Sequence, residues 1–340
     1  MSYNDFIHIA LAFCDPKGTY TRHAAVTLAS IFEHTKSPVC VHILHDDTLT
    51  DINRKALLEL AGSYSQKLKF YDVSSLFAEK KLDVSKLTID GMKGTLFRLF
   101  MPDVLDVDKV IYLDCDIVVM LDISELWNVQ MGDKAIAAVR DVWALDYHDG
   151  KPVPWRLGKV WDLFGVAHDA YFNAGVLLMN LEKIRRKYDF FKSVESFYAQ
   201  FRKCITLADQ DCLNWLFAND KLLIDEKFNH IRVNNITADG VDGSIWHMAG
   251  GSAKPWTIYT RPFVDDLYWK YLCKTPFCRS EDELIHTMLF DLSHSPCVHL
   301  HSGQCAKRVW RQLCDNIFRG HIWTVPHIFF KLLFSRKEAR

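Results

Sequence analysis

The stretch Lys109-Val110-Ile111-Tyr112-Leu113-Asp114-Cys115-Asp116-Ile117-Val118-Val119 decides how the chain is read. Apolar residues lead into Asp-Cys-Asp and more apolar residues follow, the pattern of a buried strand that ends in two carboxylates. Residues i and i+2 of a strand share a side, so Asp114 and Asp116 are expected to point together and Cys115 away. Two carboxylates side by side at a buried strand end need a positive partner. Hard divalent cations bind carboxylate and phosphate oxygens together, so a metal–diphosphate clamp is the economical reading. A solvated turn is the bland alternative, and the rest of the chain decides between them.

Working outward, strands and helices alternate. Residues 7–13 read as a strand, 14–20 as a polar turn with Pro16 and Gly18, and 22–34 as a helix. Residues 39–45 and 68–73 read as further strands, with a helix over 52–61 capped by Thr50 or Asp51. Residues 95–101 look helical, and 135–139 and 175–180 add strands. This alternation predicts an α/β fold with a largely parallel sheet covered on both faces. Ligands then sit beyond the carboxyl ends of the strands, where Asp15, Asp114 and Asp116 all fall. Residues 142–170, rich in Trp, Tyr and Pro, break the rhythm and are expected to form an excursion near that face.

The composition narrows the class. The 340 residues can bury a large core. Lys and Arg total 41 against 42 Asp and Glu, which argues against a nucleic-acid partner. No apolar run is long enough to span a bilayer, and Met1–Asp5 lack the basic start of a secretion signal. The ten cysteines follow neither a disulfide framework nor zinc spacing, so reduced thiols in a cytosolic protein are expected.

Four further segments matter: Asn173-Ala174-Gly175-Val176-Leu177-Leu178, Asp209-Gln210-Asp211-Cys212-Leu213-Asn214, His247-Met248-Ala249-Gly250-Gly251 and Lys254-Pro255-Trp256. Together with Tyr112–Asp116 they resemble glycosyltransferase family 8. The pattern is similar to that of bacterial lipooligosaccharide and lipopolysaccharide α-galactosyl- and α-glucosyltransferases. The resemblance covers about residues 7–275 and keeps the motif order.

The resemblance implies a GT-A fold, Rossmann-like, with a mixed and largely parallel sheet flanked by helices over residues 1–275. It implies a retaining transfer of galactose or glucose from a UDP-sugar to a glycan, giving an α-linkage. Asp114, Asp116 and His247 are the implied ligands of one Mn²⁺, with Mg²⁺ the poorer fit because an imidazole is in the set. Taken alone, His247 is more readily a satisfied core histidine beside Trp246, and the following Gly-Gly and Lys-Pro-Trp reverse that. Gly250 and Gly251 would let backbone approach phosphate, and Lys254 would supply charge. By the same resemblance Asp15 contacts uracil, Tyr20 stacks on it, and Cys115 belongs to the nucleotide-sugar site. Arg98 bridges diphosphate and sugar, Asn173 and Asp209 bind sugar hydroxyls, and Gln210 faces the anomeric carbon opposite the leaving UDP. An amide is a poor nucleophile, which favours a same-face substitution over double displacement through Asp209.

Residues 276–340 are expected to form a helical appendage. From Lys307 onward, Lys and Arg outnumber Asp and Glu eight to two. Val309, Trp310, Leu313, Ile317 and Phe318 fall on one helical stripe, and a second apolar run precedes Arg336, Lys337 and Arg340. Over 305–340 this suits an anchor on anionic lipid, and with it a location at the inner face of the cytoplasmic membrane and a lipid-linked acceptor. A last core-packing helix is the alternative. Two other functions stay open: a haloacid-dehalogenase-type phosphohydrolase, whose Asp-x-Asp also follows an apolar strand, and a non-catalytic UDP-sugar-binding protein.

Overall fold

The computed structural model describes residues 6–79, 87, 93–141, 147–148, 151–152, 165–202, 205, 207–231, 240–249, 254–257 and 263–293. The first apolar runs form the strands they predict. β1 (Ile7–Phe13), β2 (Val39–His45) and β3 (Lys67–Asp72) pair in parallel through the crossover helices α1 (Thr21–His34) and α2 (Asp51–Ser63). Burial on both faces explains the largely apolar runs of β1 and β2. The edge strand β3 exposes Lys67 and Lys69, charges that discourage further strand pairing. Thr50 caps α2, its hydroxyl oxygen accepting the Asn53 N–H at 3.2 Å.

After α3 (Val73–Glu79), a 3₁₀ helix (Gly94–Phe100) runs into the short α4 (Met101–Val104). Leu96, Phe97, Leu99 and Phe100 are buried against Ala10, Ala12 and Leu177 of the sheet. Each such side chain contributes about 1.5–3 kcal/mol by leaving water. Then follow β4 (Lys109–Leu113), β5 (Ile117–Val119), α5 (Ser124–Trp127), β6 (Ile136–Arg140) and a small hairpin of β7 (Tyr147–His148) and β8 (Lys151–Pro152). β9 (Phe172–Asn180), α6 (Leu181–Lys187), α7 (Phe190–Phe201), α8 (Ala208–Leu216) and β10 (Lys221–Leu223) continue the chain. β11 (Ile245–His247), α9 (Val264–Leu272) and α10 (Glu281–Ser293) complete the described elements.

The main sheet has the order β10-β6-β9-β4-β1-β2-β3, and β9 runs antiparallel between β4 and β6. The sheet is therefore mixed and mostly parallel. β9 begins at Phe172, three residues before the expected strand, and so carries Asn173 within it.

One expectation is corrected in its mechanism. β4 ends at Leu113, and Asp114–Asp116 form a turn rather than the end of a strand. β5 then leaves the main sheet and pairs antiparallel with β11, setting Ile117 opposite His247. The outer edge of β5 is satisfied by α1: the Thr27 hydroxyl donates to the Ile117 carbonyl at 2.8 Å, and the Val119 N–H donates to the Ser30 hydroxyl at 2.9 Å. Polar residues on the buried side of α1 thus hold the small sheet in place, because buried backbone groups need partners.

Contacts divide the chain into two compact units, Met1–Pro255 with Tyr259–Leu284, and Trp256–Ile258 with Ile285–Arg340. The proposed anchor at 305–340 and most of the 142–170 excursion lie outside the described residues; of the helical appendage residues 276–293, which include α10, are described. Among the described residues Cys14, Cys40, Cys115, Cys212, Cys273 and Cys278 are free thiols, and no helix is long and apolar enough to cross a membrane.

Asp220 joins α6 to the sheet. Its carboxylate accepts from Lys183 at 2.7 Å, Lys187 at 2.6 Å, Tyr188 at 2.7 Å and the Ala135 N–H at 3.1 Å. Burial would raise its pKa, but these bonds outweigh it and hold the carboxyl below the usual range. The stabilisation is therefore present above the ordinary carboxyl pKa of about 3.9 and fades as pH falls toward the folded value. Asp220→Asn is expected to cost about 1–3 kcal/mol near neutrality. Urea unfolding should show the gap from wild type closing in acid; equal stabilities at neutral pH would contradict the role.

Candidate active site

The site forms where β4, β9, β11 and α8 meet the 3₁₀ helix. Arg98 lies at its centre, buried, and leaves that short helix to touch three other elements. Its guanidinium bonds Asp114 Oδ1 at 2.8 Å, Asp209 Oδ2 at 2.8 Å and the carbonyls of Thr95 at 3.0 Å and Ala174 at 2.5 Å. It also lies over the Tyr112 ring, 4.5 Å from the centroid. Burial alone would weaken its charge; Asp114 and Asp209 outweigh burial and hold its pKa above the ordinary value. Burial likewise pushes the Asp209 carboxyl up to about 6, with Arg98 opposing and Asp114 reinforcing the rise.

Asp114 and Asp116 converge despite the turn. Each commits one oxygen to the protein and turns the other toward His247. Asp114 Oδ1 accepts from the Tyr112 hydroxyl at 2.7 Å as well as from Arg98, and Oδ2 lies 3.7 Å from His247 Nε2. Asp116 Oδ2 pairs with Lys254, and Oδ1 lies 3.3 Å from His247 Nε2. Burial would raise the Asp116 carboxyl, but Lys254 and His247 hold it well below the carboxylate range. Asp114, Asp116 and His247 thus each offer a ligand atom, all within 4.8 Å of one another. Two carboxylate oxygens and one imidazole nitrogen are a donor set that can hold a divalent cation. Cys115 is buried, and burial raises its thiol pKa far above normal, so it stays a neutral thiol beside the set.

Gly175 explains how a bulky imidazole fits. A Cβ there would collide with His247 Cε1 and lie 2.8 Å from Nδ1 and 2.9 Å from Asp114 Oδ2. The glycine is needed for space.

Asp15 is buried and already engaged. Its carboxylate accepts the N–H groups of Tyr20 at 2.7 Å and Thr21 at 3.2 Å, the Thr21 hydroxyl, and the Asn53 amide at 2.8 Å. It therefore shapes the turn and caps the start of α1. Tyr20 stands 39% exposed at that turn, its ring edge-on to His23. Asn173, Asp209 and Gln210 are buried together with Arg98. Gln210 Oε1 accepts the Ala174 N–H at 3.0 Å, and Nε2 donates to Asp141 at 2.8 Å. Gly251 lies outside the described residues. Sequence reasoning gave no role to Tyr112, Asp141, Tyr171, Gly175 or Asn229. Gly175 stood in a quoted motif, but nothing local says which ring needs its space.

These features place a carboxylate–imidazole cluster beside a buried arginine at the strand ends of a mixed α/β sheet. The chain belongs to glycosyl transferase family 8, whose family model matches residues 10–259. A glycosyltransferase of Haemophilus influenzae is 29% identical over 212 residues, covering 62% of this chain and 60% of its own length. General stress protein A of Bacillus subtilis is 24% identical over 296 residues, covering 81% and 96%. The chain spans only 25% of a Streptococcus gordonii relative and 33% of pneumococcal GlyA. The solved structure of galactosyltransferase LgtC with donor and acceptor sugar analogues superposes with a TM-score of 0.64, at 24% identity, covering 81% and 98% of the two chains. The fold is GT-A. Family membership replaces the phosphohydrolase reading.

Gly175→Ala is expected to displace His247 and lower Mn²⁺ affinity at least about tenfold. Calorimetric titration with Mn²⁺ checks this, and an unchanged affinity would contradict the packing argument.

Proposed function

We propose that the protein transfers a hexose, galactose or glucose, from a UDP-sugar to a glycan acceptor with Mn²⁺ bound, keeping the α configuration. The observation that carries this reading is the convergence of Asp114, Asp116 and His247 on one point beside Arg98. Arg98 and Lys254 bring two positive charges to three carboxylates, Asp114, Asp116 and Asp209. A divalent cation on the open oxygens would supply the missing charge, and once bound it would neutralise the departing diphosphate.

The protein groups then divide the work. Arg98 and Lys254 stabilise charge on the leaving UDP. Asp15 and Tyr20 form the base-binding turn, Asp15 by shaping it. Cys115 belongs to the nucleotide-sugar site. Asn173 and Asp209 orient sugar hydroxyls. The acceptor oxygen bonds to the anomeric carbon on the face that UDP leaves, and the acceptor proton passes to the UDP phosphate oxygen. Gln210 stabilises positive charge on the sugar from the opposite face.

The test is UDP release across a panel of UDP-sugars. Mn²⁺ should support it, chelation should abolish it, and Asp116→Ala should lose UDP affinity together with activity. Gln210→Ala should lower kcat on the order of 10²-fold with little change in donor KM. Full activity in chelator would overturn the metal reading. Binding of Mn²⁺ and UDP-sugar without turnover on any acceptor would favour a sugar-nucleotide sensor.

The acceptor is a glycoconjugate, with lipopolysaccharide core the favoured class, presented at the inner face of the cytoplasmic membrane. The basic and aromatic sequence of 305–340 supports this, as do the exposed Ile285, Leu289 and Phe290 along α10. Attraction of about 1 kcal/mol per basic residue, screened by salt, would hold the segment to anionic lipid. Removing 305–340 should abolish salt-sensitive co-sedimentation with anionic vesicles while UDP-sugar hydrolysis persists. Full-length protein that ignores vesicles would overturn the anchor.

A further inference from the structure

A continuous path of side-chain hydrogen bonds runs from His247 to Gln210, and its direction is set by the backbone. The Gly175 N–H donates to the Asn173 side-chain oxygen at 2.9 Å. A backbone N–H can only donate, so this contact fixes which end of the Asn173 amide is oxygen. The same oxygen accepts the Asn229 amide at 2.9 Å, which fixes Asn229 in turn. The Asn229 oxygen then faces His247 Nδ1 at 2.9 Å. An amide oxygen only accepts, so Nδ1 must carry the hydrogen and Nε2 is left facing Asp114 and Asp116.

The path continues on the other side. Asn173 Nδ2 donates to Asp141 at 3.2 Å, and Gln210 Nε2 donates to the same Asp141 oxygen at 2.8 Å. The Ala174 N–H fixes the Gln210 amide just as Gly175 fixes Asn173. All five side chains are buried. Reversing any one amide would set oxygen against oxygen or N–H against N–H, at a cost of about 1–3 kcal/mol per buried unmatched group. The path therefore has one coherent direction.

We infer that Asn229 is a positioning residue: it holds His247 with Nε2 toward the two carboxylates and, through Asn173 and Asp141, ties that orientation to the Gln210 amide. The inference deepens the proposed Mn²⁺-dependent transfer and rests on it. Asn229 is placed to act through its neighbours, as the partner of the non-ligating ring nitrogen does in metal sites generally.

Electron paramagnetic resonance of free Mn²⁺ tests this on the full-length chain without nucleotide. Asn229→Leu should weaken Mn²⁺ binding about 10- to 100-fold. Asn229→Asp keeps an acceptor for Nδ1 and should bind Mn²⁺ near the wild-type value. It loses the bond to Asn173, so its kcat should fall while its donor KM holds. Asn229→Leu binding like wild type would overturn the inference, as would an equal loss in both folded variants. A wild type that binds no Mn²⁺ would overturn the metal reading itself. Wild-type protein supplies an arm independent of any folding defect. With Zn²⁺ as a diamagnetic probe, ¹⁵N-histidine spectra assigned through His247→Gln should retain Nδ1–H and shift Nε2. Metal on Nδ1 would overturn the inference.

Discussion

Bringing the Asp114 and Asp116 carboxylates side by side is the constraint around which this structure is arranged. Neither carboxylate is left without a cation. One oxygen of Asp114 is held by Arg98 and Tyr112, and one of Asp116 by Lys254. Left unpaired, the buried Asp116 carboxylate would cost several kcal/mol. The cations that prevent this come from distant parts of the chain, so the site exists only when the fold is complete. Arg98 draws the 3₁₀ helix, β4, β9 and α8 together through one guanidinium.

Placement of His247, the third proposed donor, depends on a smaller device. The chain leaves the main sheet at Asp114, turns, and starts a two-stranded sheet in which β11 carries His247 back to the turn. Thr27 and Ser30 of α1 hold the other edge of β5. The start of the same helix is capped by Asp15. One helix therefore links the proposed base-binding turn to the strand pair that positions the proposed metal donors. Gly175 on β9 leaves room for the imidazole, and a larger residue would exclude it.

Much of the fold was legible because buried parallel strands write themselves as apolar runs. β1, β2 and β4 stand out for that reason, and Thr50 marks the start of α2. The antiparallel course of β9 was not legible, since direction within a sheet depends on partners far away in sequence. Asp114 and Asp116 were read as neighbours for a pleat that is absent; the turn and the β5–β11 pairing bring them together instead. Asn229 and Asp141 escaped because their importance lies in what their amide and carboxylate touch, and Lys-Phe-Asn-His is unremarkable as sequence. Tyr112 lay inside the quoted strand, where an apolar run gives no sign that its hydroxyl donates to Asp114.

The central claim is that one divalent cation sits between Asp114, Asp116 and His247 with the nucleotide diphosphate. Crystals soaked in MnCl₂ and UDP, measured at the manganese absorption edge, test it most directly. The account predicts one anomalous peak within bonding distance of Asp114 Oδ2, Asp116 Oδ1 and His247 Nε2. UDP density with no peak there, or with the peak at another set of side chains, would contradict it.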